Sequence, residues 1–77
     1  MDQLTEEQIV LIEFLRLSGA DKDMMIGTTL ILDEYPKATK ELLLWLDKFN
    51  PERKVLTTEE LTQIIWKTKE LLDEATA

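Results

Sequence analysis

The apolar residues fall into four periodic stretches separated by chain breakers. Leu4-Thr5-Glu6-Glu7-Gln8-Ile9 has the marks of a helix start. A Thr5 hydroxyl can accept from the amide three residues on, a Gln8 side chain can reach back to the Thr5 amide, and Leu4 and Ile9 occupy the two positions of a hydrophobic staple. The pattern predicts a helix over 5–18, ended by Gly19 as the left-handed residue. Asp21 caps a second helix over 21–33, with Asp23 favourable near its N-terminus. Gly27, Thr28 and Thr29 are weak helix formers there, and Ile26 and Leu30 to Leu32 also suit a strand. A lone strand would have no partner, so the stretch is read as helical, with Gly27 permitting a close helix crossing.

Tyr35-Pro36 breaks the chain and opens a third helix over 36–49, because proline fits the first helical position. Asn50-Pro51 stops it. Leu56-Thr57-Thr58-Glu59-Glu60-Leu61 then repeats the first start signal, with Thr57 and Glu60 as a capping box and Leu56 and Leu61 as a staple. That fourth helix is expected over 57–73, with 74–77 frayed. The two starts resemble each other without marking an internal repeat, since the residues after them diverge.

Helical wheels assign faces. The first helix is apolar almost all round, with a narrow polar stripe of Glu6, Glu13 and Arg16, so it sits at the centre of a bundle or contributes to an oligomer interface. The third carries a stripe of Ala38, Leu42, Trp45, Leu46 and Phe49. The fourth carries one of Leu61, Ile64, Ile65, Thr68, Leu71 and Leu72. The expected core is Val10, Leu11, Phe14, Leu15, Ile26, Leu30, Leu42, Trp45, Leu46, Phe49, Leu61, Ile64, Ile65 and Leu72. The fold class is all-α: a compact four-helix domain, an irregular or orthogonal bundle of antiparallel neighbours on short loops, occupying 1–77 as a single unit.

Two side chains depart from this pattern. Leu44 falls in the middle of the charged face of the third helix, and Trp66 lies opposite the stripe of the fourth. Leu44 reads either as an ordinary exposed leucine or as part of a recognition surface. Trp66 reads as an indole folded over its own helix or under the 50–56 loop, or as part of that same surface. Together they form the candidate partner surface.

Composition narrows the function. The 77 residues contain no cysteine and no histidine, which excludes disulfides and the usual structural zinc sites. The chain must be held by packing and helix caps. Nucleophilic catalysis has only Ser18 with Lys22 to draw on, and Ser18 has a simpler place at a helix end. The carboxylate pairs Glu6-Glu7, Asp33-Glu34, Glu59-Glu60 and Asp73-Glu74 point apart on their helices and read as solvated. Asp21-Lys22-Asp23 opens like a calcium loop, but Met25, Ile26 and Leu32 stand where that loop needs other residues. With Gly19 and Gly27 the only glycines, no phosphate loop is present. No catalytic, cofactor or metal residues are assigned, and the chain is expected not to be an enzyme.

The net charge of −7 is unevenly placed. Residues 1–34 hold eight acids and two bases, 35–56 three acids and five bases, and 57–77 five acids and two bases. The leading expectation is a small non-enzymatic protein–protein interaction module, self-associating as a homodimer if the apolar first helix is not fully covered. The alternatives are a helix-turn-helix-like nucleic-acid-binding regulator using Lys37, Lys40, Lys48, Arg53 and Lys54, and an acidic inhibitor that imitates nucleic acid. No apolar run is long enough for a membrane span, and Met1-Asp2-Gln3-Leu4 has no basic leader, so a cytoplasmic location is expected.

Overall fold

A computed structural model of the chain describes residues 3–77; Met1 and Asp2, the first half of the segment read for a leader, lie outside the described residues. Its elements are α1 (Glu6–Leu17), α2 (Lys22–Ile31), α3 (Pro36–Phe49) and α4 (Thr58–Thr76), with no strand among the described residues. The stretch 22–31 is therefore helical, as its lack of a strand partner required. The all-α four-helix domain has a radius of gyration of 11.4 Å, close to that of a well-packed chain of this length.

Local signals fix the boundaries. The Thr5 hydroxyl accepts from the Gln8 amide at 3.2 Å and the Gln8 side chain accepts from the Thr5 amide at 2.8 Å, so both halves of the box form. Thr57 and Glu60 do the same for α4. Asp21 accepts from the Met24 amide. At the end of α1, Gly19 has φ +91°. Its amide donates to the Arg16 carbonyl and the Ala20 amide to the Leu15 carbonyl, the paired bonds of a Schellman turn. α3 keeps its expected bounds; α4 continues to Thr76, beyond the expected 73, and α2 stops at Ile31.

Packing order departs from chain order. α1 packs on α2 and α3, and α4 packs on α3 and α2, so the bundle runs α1, α2, α4, α3 around its centre. Consecutive α2 and α3 are thus not principal partners, which corrects the expectation of antiparallel sequence neighbours at that connection. The short 32–35 segment carries the chain diagonally, anchored by fully buried Leu32.

The core is Leu11, Phe14, Leu15, Leu32, Ala38, Leu42, Leu46, Leu56, Ile64 and Leu71. Trp45, Phe49, Leu61 and Leu72 pack against it half-buried, with Trp45 and Phe49 stacked at 4.5 Å between ring centroids. Four residues expected inside are exposed: Val10, Ile26, Leu30 and Ile65. α1 buries one face, so it is not the central helix its composition suggested, and Ile9 and Val10 remain at the surface. Leu4 and Ile9, the expected first staple, are likewise exposed.

Candidate interaction surface

The surface of interest is built on α2, whose faces are reversed relative to a simple oil-in pattern. Thr28 and Thr29 are buried. Ile26, Leu30 and Ile31 are 45%, 54% and 50% exposed. Burying a threonine is inexpensive when its hydroxyl finds a carbonyl one turn back. Thr29 does so, donating to the Met25 carbonyl at 2.8 Å. Thr68 of α4 uses the same device with the Ile64 carbonyl at 2.8 Å. The inward side of α2 is completed by half-buried Met24 and Met25 and by Leu32 just beyond its end.

At 100° per residue, Asp23, Ile26, Gly27, Leu30 and Ile31 share the opposite side. Gly27 lies in the middle of this stripe. No atom stands within 4 Å of where its Cβ would be, apart from its own helix backbone and chain neighbours. The close helix crossing that Gly27 was expected to permit is therefore not made among the described residues.

Sequence reasoning placed Ile26 and Leu30 in the core because the α2 wheel has two apolar sides. The signal that distinguishes them is the glycine, since a core stripe of a short helix is poorly served by a position with no side chain.

Leu44 and Trp66 are 61% and 63% exposed. Each points away from the buried side of its helix. Leu44 lines a depression with Trp45 and Lys67, whereas Trp66 lines a separate one with Lys69 and Glu70. The Lys69 ammonium stands 5.5 Å from the Trp66 ring centroid, a cation–π contact one turn along the same helix. The fold thus exposes both side chains without joining them in one depression.

The five bases of the nucleic-acid alternative are exposed but differently engaged. The Arg53 guanidinium lies 4.8 Å over the Phe14 ring and 3.5 Å from the Asp47 carboxylate. Lys54 contributes its backbone to the side chain of Asn50. Lys37 lines a cleft of about 570 Å³ between the start of α3 and the end of α4, together with Glu34, Glu41 and Glu74. Lys40 and Lys48 share the outward side of α3 with Glu41 and Asp47. The weakly basic middle of the chain is thereby interleaved with carboxylates.

Ser18 and Lys22 are not brought together as a reacting pair. Ser18 is buried, donates to the Phe14 carbonyl at 2.9 Å and accepts from Asn50 at 3.0 Å. Among the described residues no cluster of three or more carboxylates is placed to hold a metal ion, and no helix is long and apolar enough to cross a membrane.

Among the described residues, two carboxylates have pKa values displaced downward. The backbone amide and hydroxyl of Thr57 hold Glu60 below its ordinary value, and the hydrogen bond from Arg16 does so for Glu13. Both belong to helix-stabilising contacts.

No family model matches the chain, and no curated protein and no solved structure is significantly similar to it.

Proposed function

We propose that this chain is a cytoplasmic, non-enzymatic protein–protein interaction module that docks a partner on the outward side of α2. The observation that carries the reading is the reversal of that helix, which turns two threonines inward and leaves Ile26, Leu30 and Ile31 in water. A contiguous exposed apolar stripe on a small domain is the usual mark of a contact surface. Leu44 and Trp66 are single side chains in separate depressions, which supports docking on α2 ahead of docking on them.

The test is the triple variant Ile26→Ser, Leu30→Ser, Ile31→Ser. Its folding free energy is expected to stay within about 1.5 kcal/mol of the parent chain, at about 0.5 kcal/mol for each exposed position. Quantitative capture from the native cell should then lose the protein retained by the parent. Unfolding of the variant, or an unchanged captured set, refutes the reading.

A further inference from the structure

We propose that the partner is an amphipathic, positively charged helix laid along Asp23, Ile26, Gly27, Leu30 and Ile31. This rests on the docking surface assigned above and adds the chemistry of its occupant.

The spacing is that of a face made for a helix. Positions 23, 26, 27, 30 and 31 follow i, i+3, i+4, i+7 and i+8, the periodicity of a stripe that buries against a neighbouring helix. α2 already uses its other side for its own core, so this stripe is a second face, left exposed among the described residues at Asp23, Ile26, Leu30 and Ile31.

Gly27 supplies the second observation. Glycine weakens a helix interior relative to alanine. Here it serves no turn, has no positive φ, and, its own helix backbone and chain neighbours aside, meets no atom of the described residues within 4 Å of a Cβ position. What it offers is a patch of bare backbone at the centre of an apolar stripe, where a second helix can approach closely.

Charge then selects among possible helices. Asp23 lies on the stripe itself, is exposed, and makes none of the ion pairs found among the described residues. Covering it without a cation would strand a carboxylate in a low-dielectric contact. Asp21 stands at the same end and Asp33 and Glu34 at the other, with Lys22 the only base between Leu17 and Pro36. Asp21 already accepts from the Met24 amide and Asp33 from the Gln8 side chain, yet neither contact is with a cation, so a helix bearing lysine or arginine near both ends of its apolar stripe meets Asp23 directly and the negative charge at each end.

A second copy of the chain answers them poorly. Antiparallel pairing about Gly27 sets Asp23 against Ile31 of the copy and the Asp21 end against the Asp33–Glu34 end. Parallel pairing sets Asp23 against Asp23. Both bring like charges together on chains that each carry −7.

The experiment uses the whole chain and synthetic helical peptides of about 14 residues, read by fluorescence anisotropy. One peptide has an apolar i, i+3, i+4, i+7 stripe with lysine and arginine at both ends, a second has glutamate in place of those bases, and a third has the stripe scrambled. The basic peptide is expected to bind at least about tenfold more tightly than either control and to weaken as salt rises. Asp23→Lys and Gly27→Leu should each raise its dissociation constant about tenfold or more, and the Ile26, Leu30, Ile31 serine variant should abolish binding. Equal binding of the basic and glutamate peptides, lost in the serine variant, overturns the charge assignment and leaves the docking surface standing. Self-association abolished by the serine variant, with no peptide bound, identifies a second copy as the occupant and overturns the proposal while the interaction reading survives. A strict monomer that binds no peptide, and whose native-cell captures the serine variant does not change, removes both.

Discussion

Asn50, at the end of α3, donates from its side-chain amide to the hydroxyl of Ser18 at the end of α1, thirty-two positions away. Both are buried, and the contact closes a network. Asn50 also donates to the Lys54 carbonyl at 2.9 Å and accepts from the Lys54 amide at 3.2 Å, while the Leu56 amide donates to the Ser18 carbonyl at 2.8 Å. The turn after α1 and the 50–56 loop are therefore joined by one buried polar network. Asn50→Ala leaves the Ser18 hydroxyl and the Lys54 amide without this partner. Urea unfolding should show a loss of about 1–3 kcal/mol, the cost of leaving the buried Ser18 hydroxyl without this partner. Ser18→Ala should cost less, and the double variant should be non-additive by about 1 kcal/mol.

Gln8 makes a similar tie between α1 and the end of α2. While its side-chain oxygen completes the Thr5 box, its amide donates to the Asp33 carboxylate at 2.6 Å. A glutamate would keep the box but set a second carboxylate against Asp33. Gln8→Glu is expected to destabilise the fold by about 1–3 kcal/mol at neutral pH. The loss should shrink on acidification as the added carboxyl takes up a proton, which urea midpoints measured across pH will show.

The two glycines should respond to alanine with opposite signs. At Gly19, φ is +91° and an added Cβ would sit 3.0 Å from Cγ1 of Val55. Gly19→Ala should cost about 1–2 kcal/mol from the left-handed conformation alone. At Gly27 the conformation is helical and the space is open, so Gly27→Ala should gain about 0.5–1 kcal/mol. Thermal unfolding of the two variants side by side gives the comparison.

Leu44 and Trp66 should behave as surface residues in folding. Leu44→Ala and Trp66→Ala are each expected to change stability by no more than about 0.5 kcal/mol. Leu42→Ala and Leu46→Ala, at fully buried positions of α3, should cost about 2–5 kcal/mol. A drop of that larger size for Trp66→Ala would show that its indole supports the fold.

Glu60 gives a pH signature. The Thr57 backbone amide and hydroxyl lower its pKa in the folded chain below the ordinary 4.5. A carboxylate with a depressed folded pKa stabilises fully above its unfolded pKa and loses that contribution as pH falls through the folded one. The stability difference between the parent and Glu60→Gln should therefore be constant at neutral pH and diminish below about pH 4.5. Urea unfolding across that range reads it directly.

The chain's local chemistry determined much of this protein. Thr5 with Gln8, Thr57 with Glu60, Asp21, Gly19 and Pro36 fix the helix ends because each acts on amides or dihedrals within a few residues. The apolar stripes of α3 and α4 were legible for the same reason, each helix having one oily side, although Ile65 on the flank of the α4 stripe came out exposed. α2 was not, and α1 only in part: Leu11, Phe14 and Leu15 are buried as expected while Val10 is exposed, since each helix presents apolar residues in more than one direction and a wheel holds no information about where the neighbours stand. Packing order decided that question: with α3 crossing back to α1 and α4 to α2, one side of α2 was enclosed and Ile26, Leu30 and Ile31 were left facing water. The partnership of Ser18 with Asn50 was beyond local reading as well, because it depends on two distant helix ends meeting, which only the assembled fold brings about.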